Sequence, residues 1–213
     1  MNKITALSIG KGKNKRVNVF LDNRFAFSLE AEVALKESLQ IGQQLSGEQI
    51  KILTKADQYY RCLNAATNYL SYRPRSELEL RKRLQQRGFN DISIETTINK
   101  LKEQGLVDDQ AFAQFWKENR DLFNQRSQWL IKMELKQKGI ADYIIEQVTD
   151  TIDDEDSAYR AAQNKCRSLP LFDYQNFRRR LGEYLKRRGF SYIVINKTIE
   201  QLWEEKTTSK TLS

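Results

Sequence analysis

The segment LKRRGFSYIVI, Leu185 to Ile195, contains a corner on which the fold of this chain depends. An apolar stripe ends at a glycine, and a second apolar series begins directly after it. Similar corners occur earlier as LQQRGFNDISI, Leu84 to Ile94, and as LKQKGIADYII, Leu135 to Ile145. The glycines are 51 and 50 residues apart, and a fixed period of this length is typical of repeated helical units. They are Gly88, Gly139 and Gly189.

Apolar residues recur at the same distances from each glycine. Residues four apart are neighbours on a helix, so the positions eight and four before the glycine form one apolar stripe. The glycine can take the left-handed conformation that ends a helix, and the apolar residue after it packs back on the last turn. The repeated positions are Leu80, Leu84, Phe89, Ile94 and Leu101; Ile131, Leu135, Ile140, Ile145 and Ile152; and Leu181, Leu185, Phe190, Ile195 and Leu202.

A further helix precedes each corner, which makes three helices per repeat. In repeat one this first helix is predicted near Asp57 to Tyr72. In repeat two it begins at Asp108-Asp109 and has Phe112, Phe115 and Trp116 on one side. In repeat three it begins near Asp154 and carries Tyr159 and Ala162. Ser76 and Glu79 have the spacing of a capping box. The acidic pairs Asp108-Asp109 and Asp153-Asp154 are better explained as helix N-caps than as metal ligands.

The first fifty residues have the pattern of strands. Val17, Val19 and Leu21 alternate with polar residues, as do Phe25 and Phe27, and Asp22-Asn23 between them suits a hairpin turn. Ile4 to Ile9 is a candidate third strand, the period turns helical from Leu29 to Leu35, and a short helix is expected after Ser46. This unit could be a docking or basic arm, or a cap that closes one end of a helical array.

The sequence therefore predicts a mainly α fold. We expect an elongated array of three tandem three-helix repeats, preceded by a small N-terminal unit that contains a β-hairpin. The expected boundaries are 1–54 for the N-terminal unit, 55–106, 107–153 and 154–206 for the repeats, and 207–213 for a disordered tail.

Composition restricts the classes of function. The 213 residues include no histidine, which excludes Ser-His and Cys-His nucleophilic sites and removes the commonest zinc ligand. The segment GKGKNK, Gly10 to Lys15, lacks the spacing of a phosphate-binding loop and is expected to be a mobile loop between strands. We expect no enzymatic activity, no cofactor and no metal.

The two cysteines, Cys62 and Cys166, are expected to be buried apolar residues, and so few cysteines suit a reducing compartment. The apolar part of the first ten residues is too short for a signal peptide, and no apolar run has the length of a membrane span. A cytoplasmic location is expected.

The net charge of +8 favours an anionic partner, with nucleic acid first and an acidic protein surface second. On the middle helix of the third repeat, Phe177, Leu181, Tyr184 and Leu185 lie on one face, and the opposite face is basic around Glu183. Such a face could simply be solvated. The candidate contact residues are Arg178, Arg179, Arg180, Lys186 and Arg187 in repeat three, Arg81, Lys82 and Arg83 in repeat one, and Lys132 and Lys136 in repeat two.

Other residues near these helices have structural interpretations. Arg87, Lys138 and Arg188 precede the glycines, and we expect their charged groups to meet the carbonyls at the helix ends. Met133 occupies an outward position in the less basic second repeat. Trp129 and Tyr192 could stack on bases, although core packing is the preferred interpretation.

The three corners, together with GLVDDQAFAQFW (Gly105 to Trp116) and RRRLGEYLKRRGFSYIVI (Arg178 to Ile195), resemble the RecX regulatory protein family over roughly residues 56–203. The resemblance implies a monomeric modulator, usually an inhibitor, of the RecA recombinase in DNA repair, homologous recombination and the SOS response. Such proteins lie along the RecA–single-strand DNA filament, suppress its ATPase, strand exchange and coprotease functions, and bind DNA weakly. The basic residues 178–180, 186 and 187 are the best matched; the N-terminal unit lies outside the matched region.

Two other functions are alternatives to this one. A helical-repeat protein could bind single- or double-stranded DNA without a recombinase partner, in which case its affinity would fall steeply with salt. A nuclease that used the aspartate pairs with magnesium is disfavoured, because no acidic constellation supports it.

Overall fold

A computed structural model describes residues 2–10, 16–167, 169 and 173–211 of the chain. The chain divides into two compact units, Met1–Val107 and Asp108–Ser213. The first contains the strands and the first repeat, and the second contains repeats two and three. Most of the predicted Gly10–Lys15 loop, residues 11–15, lies outside the described residues.

The described strands of the first unit are β1 (Asn2–Ile9), β2 (Arg16–Leu21), β3 (Arg24–Glu30) and β4 (Gln44–Leu45), and they form an antiparallel sheet in the order β3-β2-β1-β4. The predicted hairpin is confirmed, because Asp22 and Asn23 join β2 to β3 with φ values of 47° and 64°, as a tight two-residue turn requires. The candidate third strand is β1. A fourth strand was not predicted, since two residues are too few to show alternation. The short helix α1 (Ala31–Lys36) follows β3.

One long helix, α2 (Gly47–Leu70), belongs both to the strand unit and to the first repeat. The expectation of a short helix after Ser46 and a separate helix from Asp57 is therefore wrong, and the expected boundary after residue 54 falls inside this helix. No glycine or proline interrupts the segment after Gly47, so nothing ends the helix between its halves. The first half buries Leu53 against the sheet, and the second half buries Cys62 and Ala66 in the core of repeat one.

Asp57 fastens α2 to the sheet. Its buried carboxylate accepts the backbone N–H of Glu30 at 2.7 Å and Nη2 of Arg16 at 3.1 Å. The same arginine donates to Glu30 at 2.9 Å. A buried carboxylate with both oxygens bound holds its neighbours in one geometry, which makes the strand unit and repeat one a single compact body.

The other helices form the predicted repeats. Repeat one is completed by α3 (Glu77–Gln86) and α4 (Asp91–Glu103). Repeat two consists of α5 (Asp109–Phe123), α6 (Gln128–Gln137) and α7 (Asp142–Thr149), and repeat three of α8 (Asp154–Cys166), α9 (Tyr174–Lys186) and α10 (Tyr192–Thr211). Each repeat has its own small buried core. Helix α10 includes most of the segment predicted as a disordered tail, and residues 212–213 lie outside the described residues.

The predicted N-caps at Ser76, Asp108 and Asp153 are confirmed. The hydroxyl of Ser76 accepts the N–H of Glu79 at 3.2 Å, and the carboxylate of Glu79 also pairs with Arg73. Asp108 and Asp153 each accept two backbone N–H groups at the starts of α5 and α8. These carboxylates are committed to the backbone, and the described residues include no group of three or more histidine, cysteine or acidic side chains that could hold a metal ion.

All three glycine corners are Schellman motifs. Gly88, Gly139 and Gly189 have φ values of 81°, 80° and 84°, in the left-handed region that favours glycine. In each corner the glycine N–H bonds to the carbonyl three residues earlier, and the next N–H bonds to the buried leucine carbonyl. The apolar residues one and six positions after the glycine have the spacing of a hydrophobic staple that fixes where the third helix starts.

Candidate basic interface on the third repeat

Helix α9 presents the predicted basic face because its two ends and its buried stripe are fixed. The carboxylate of Asp173 caps its start, accepting the N–H groups of Gln175 at 2.9 Å and Asn176 at 3.2 Å. Phe177, Leu181 and Leu185 are buried at one-turn intervals, as predicted. The helix can therefore not rotate, and the side chains on the opposite face are held towards solvent.

Five cations occupy that outer face and its flanks, and all five are exposed. Arg187 lies 3.9 Å from Glu183, a pair in which both side chains are more than half exposed and which is correspondingly weak. Arg178 and Arg179 make only hydrogen bonds to neutral oxygens, those of Tyr192, Asn196 and Asn176, at 3.2–3.4 Å. Arg180 and Lys186 have no ion pair or side-chain hydrogen bond with another described residue. Of the described carboxylates, Glu183 alone is paired with these five.

Repeat one does not provide a comparable face. The guanidinium of Arg81 bonds to Glu95 at 2.8 Å and to Glu77 at 3.0 Å, and these bonds, that to Glu95 first, raise its pKa. The pKa of Glu77 is lowered, chiefly by its hydrogen bond to Lys102. Lys82 and Arg83 are exposed, and Arg83 lies 5.8 Å from the ring centre of Tyr69. Arg81 is therefore neutralised within the repeat, and only its two neighbours remain candidates.

Both candidate lysines of repeat two are paired as well. The ammonium of Lys132 lies 2.5 Å from Glu146, and that of Lys136 lies 3.3 Å from Asp142. Met133 points outward between them, as predicted. The third helix of this repeat thus supplies a carboxylate to each lysine. The Lys136–Asp142 pair is as exposed as that of Arg187 and correspondingly weak, so both lysines remain candidates with less free charge than the cations of α9.

The difference in charge neutralisation between the repeats depends on the residues at two positions after each glycine. Seven residues after the glycine stand Glu95 in repeat one and Glu146 in repeat two. They pair with Arg81 and Lys132, which stand seven residues before the same glycines. Repeat three has Asn196 and Gly182 at these two positions. Three residues after the glycine stand Asp91, Asp142 and, in the third repeat, Tyr192. Repeat three thus lacks both carboxylates beside its basic helix, which leaves α9 unneutralised. Comparing the three corners position by position shows from the sequence that repeat three lacks these acidic residues, but only the structure shows that they pair with the cations of the other repeats.

The interpretation of Trp129 and Tyr192 as core residues is wrong. The side chain of Trp129 is 61% exposed and that of Tyr192 is 71% exposed. Tyr192 lies at the start of α10, with its hydroxyl 3.4 Å from Nη2 of Arg178, so it belongs to the basic face. Its apolar character suggested burial, but the buried positions beside this corner are already occupied by Phe190 and Ile195.

The cations before the glycines have different partners. The guanidinium of Arg188 lies 4.0 Å from the ring centre of Tyr184 and donates to Asn124 at 3.0 Å, instead of meeting the carbonyls of its own helix end. The ammonium of Lys138 lies 5.0 Å from the ring centre of Trp116. Arg188 thereby ties repeat three to the loop before α6, and its backbone carbonyl accepts the N–H of Ser127 at 3.0 Å.

An arginine cluster around Glu134 lies within repeat two. The half-buried carboxylate accepts Nε1 of Trp116 at 2.7 Å and Nε of Arg120 at 2.8 Å, and it also pairs with Arg126. Burial lowers the pKa of Arg120, and burial followed by the charges of Arg120 and Arg188 lowers that of Arg126. These arginines are structural, since their charge is held inside the unit.

The fold and this face define a class of protein: a helical-repeat protein with a strand-containing N-terminal unit and one basic helix that its own carboxylates do not neutralise. Among the described residues, the structure contains no helix that is long and apolar enough to cross a membrane. Both cysteines are buried and free, and burial raises the pKa of each thiol, as expected for structural residues.

Comparisons with known proteins give the family. The Regulatory protein RecX N-terminal domain matches residues 2–46, and the first, second and third three-helix domains of RecX match residues 62–101, 108–148 and 153–199. The chain belongs to the RecX regulatory protein family. The N-terminal strand unit, which the sequence resemblance did not cover, is therefore a domain of that family.

Individual relatives agree over nearly the whole chain. The chain is 31% identical to Regulatory protein RecX of Clostridium botulinum strain Eklund 17B, covering 94% of this chain and 96% of that protein. It is 30% identical to the protein of the same name from Clostridium perfringens strain SM101, covering 95% and 97%. A crystal structure of regulatory protein RecX has a TM-score of 0.67 at 25% identity, covering 94% of this chain and all of that one. The crystal structure of RecX from Lactobacillus salivarius has a TM-score of 0.57 at 28% identity, covering 69% and 97%.

Proposed function

We propose that this protein is a non-enzymatic regulator that binds along the RecA–single-strand DNA filament and inhibits its ATPase, strand exchange and coprotease activities. Membership of the RecX family supports a regulatory role. The outer face of α9 is the proposed contact site, because its five exposed cations have only one carboxylate partner among the described residues, and that pair is weak. A partner assembled on DNA also implies a cytoplasmic location and a role in recombinational repair.

The physical reason is the repulsion between the cations. Four or five like charges on one helix raise the free energy of the unbound protein unless an anion lies near them. The phosphates of the filament, or acidic side chains on its surface, relieve that repulsion on binding, and Arg178, Arg179 and Arg180 offer the planar donors that suit phosphate and carboxylate. Weak contacts made by several repeats along one polymer add up, because each bound repeat raises the effective concentration of the next.

The experiment that tests the proposed function is RecA ATPase on single-stranded DNA, with this protein titrated far below the RecA concentration. Strong inhibition at a low ratio is expected, since one protein bound on a filament affects many subunits. Inhibition that begins only when the protein rivals the DNA in binding sites would refute the proposal and favour the second candidate, a helical-repeat protein that binds bare DNA.

A gain of carboxylates tests the assigned face more sharply than a loss of cations. Tyr192→Asp with Asn196→Glu gives repeat three the acidic residues that repeats one and two already have, and it leaves all five cations in place. Both side chains lie outside the buried core, so the fold is retained. We expect this double variant to inhibit at least tenfold more weakly. A second variant, with Arg179, Lys186 and Arg187 all changed to glutamate, should show the same loss.

The matched control is the reverse change in repeat two. Asp142→Asn with Glu146→Gln removes the partners of Lys136 and Lys132, and it should leave inhibition unchanged or strengthen it. Full inhibition by the folded repeat-three variants would show that α9 is not the contact surface.

A further inference from the structure

The first unit contains a groove that the basic face of α9 does not explain. It has a volume of about 830 Å³ and lies between the end of β3, the start of α1, one face of α2 and the corner at Gly88. This volume falls within the range of roughly 300–1,000 Å³ that is usual for ligand sites. The groove is open because small side chains, Ser28, Ala31 and Ala65, line it.

Two arginines in this groove have no described partner. Arg61 lies on the exposed side of α2, and Arg87 ends α3; neither forms an ion pair or a side-chain hydrogen bond with another described residue. Arg87 departs from its own repeat pattern, because the cations at the same position in repeats two and three, Lys138 and Arg188, lie over aromatic rings. The first-repeat cation is exposed and lines the groove instead.

The rest of the lining is polar and mostly uncharged. Asn64 and Asn68 lie one turn apart on α2 and offer amide donors and acceptors. Arg16 pairs with Glu30 at 2.9 Å and with the buried Asp57 at 3.1 Å, so its charge is used within the unit. Among the described lining residues, Glu32 is the carboxylate without a described partner, and Arg61 and Arg87 are the cations without one. The only large apolar side chain of the lining is Phe89, which is partly buried in repeat one.

We infer that this groove binds the phosphodiester backbone of single-stranded DNA, with Arg61 and Arg87 on phosphates and the asparagines beside the sugars or bases. One guanidinium group can bind a phosphate through two parallel N–H groups, and Arg61 on α2 and Arg87 at the end of α3 each offer such a group to the groove. A peptide anchored by apolar side chains is disfavoured, because Phe89 is the one large apolar side chain among the described lining residues. An acidic protein segment is the competing occupant, and the RecA measurement below distinguishes it. The inference does not rest on the proposed inhibition of RecA, since it concerns the protein and an oligonucleotide alone.

The test is the salt dependence of binding to a fluorescein-labelled oligothymidylate, measured by anisotropy with the full-length protein. Each phosphate contact on a single strand contributes about 0.7 to the slope of log K against log salt. Arg61→Gln with Arg87→Gln should therefore reduce the slope by about 1.4 and weaken binding at low salt. Glu32→Gln should tighten binding, because it removes the carboxylate that opposes the phosphates.

Arg24→Gln is the matched control, since Arg24 is an exposed arginine of the same unit that does not line the groove. An equal effect of Arg24→Gln, or an unchanged slope in the double variant, would overturn the inference and leave only general attraction by net charge. It would equally be overturned if the double variant bound the oligonucleotide normally but bound purified RecA less well, because the groove would then hold a protein segment. Circular dichroism checks that each variant is folded.

Discussion

Replacing Gly189 with alanine should destabilise the protein more than the same replacement at Gly88. The two glycines end equivalent helices with nearly the same φ, 84° and 81°. A Cβ atom on Gly88 would meet nothing within 4 Å, whereas one on Gly189 would lie 2.6 Å from Oγ of Ser127 and 2.8 Å from Cβ of Leu130. The pair therefore separates the backbone effect from the contact between repeats two and three.

The backbone effect is common to both positions. A non-glycine residue in the left-handed conformation is unfavourable by about 1–2 kcal/mol, and alanine offsets part of this by restricting the unfolded chain. The contact adds about 1–3 kcal/mol at Gly189 for overpacking. Ser127 cannot move aside freely, since its hydroxyl accepts the N–H of Leu130 at 3.2 Å and caps α6. We expect a loss of about 1 kcal/mol for Gly88→Ala and about 2–4 kcal/mol for Gly189→Ala.

Urea unfolding distinguishes the two variants. The three tryptophans, Trp116, Trp129 and Trp203, all lie in the second unit, so their fluorescence reports on that unit and far-ultraviolet circular dichroism reports on the whole chain. With a slope of about 2 kcal/mol per molar urea, the fluorescence midpoint of Gly189→Ala should fall by about 1 M or more. Equal losses for both variants would refute the contact, leaving the shared backbone conformation as the whole effect.

Three further changes test the packing of each unit. Glu134→Gln should destabilise the second unit by about 3 kcal/mol, because it leaves Arg120 and Arg126 without a charged partner. Glu118→Gln, on the exposed side of α5, is the control. Equal urea midpoints for the two variants would contradict a stabilising role of the Glu134 cluster. Arg188→Lys should lower the free energy of unfolding by about 1–2 kcal/mol, because it weakens the contacts with Tyr184 and Asn124. Arg187→Lys should leave stability unchanged. A melting temperature of Arg188→Lys that is not below that of Arg187→Lys would contradict this. The pKa of Glu77 is held below its usual 4.5, so its stabilising contribution is present above that pH and is lost as the pH falls through the folded value. Glu77→Gln should therefore melt lower than the unaltered protein at neutral pH and together with it in acid, and a constant difference at every pH would contradict this.

The repeats show how one three-helix unit serves different roles within a chain. Each repeat keeps the residues that form its core and its glycine corner. The residues that decide the charge of its outer face differ, because exposed positions at the start of the third helix can change without loss of packing. Repeat three has Tyr192 and Asn196 where repeat two has Asp142 and Glu146. Two such positions separate a self-neutralised helix from a basic surface.

Several elements were predictable because their causes are local. A glycine after an apolar stripe, an aspartate before a helix and an Asp-Asn pair between alternating residues each act within a few positions of the chain. The long helix α2 was missed for a related reason. The change from sheet packing to repeat packing occurs along one uninterrupted helix, and no local signal marks the point at which its neighbours change.

The candidate site was predictable in part. The sequence placed the cations of α9 on one outer face, since helical spacing alone decides which residues oppose Leu181 and Leu185. It could not show which cations of the other repeats are neutralised. That depends in part on carboxylates fourteen positions away, Glu95 for Arg81 and Glu146 for Lys132, which only packing of the third helix against the second brings into contact.

The sequence by itself determined that the chain contains three glycine-ended helical repeats, a strand hairpin and a basic outer helix, because period, turn residues and charge are properties of short segments. Only the tertiary structure decided that Asp57 joins the sheet to repeat one, that Arg188 joins repeat three to repeat two, and that Arg61 and Arg87 share one groove. The physical reason is that hydrogen bonds, ion pairs and cavities depend on distances between residues far apart in the chain, and folding alone sets those distances.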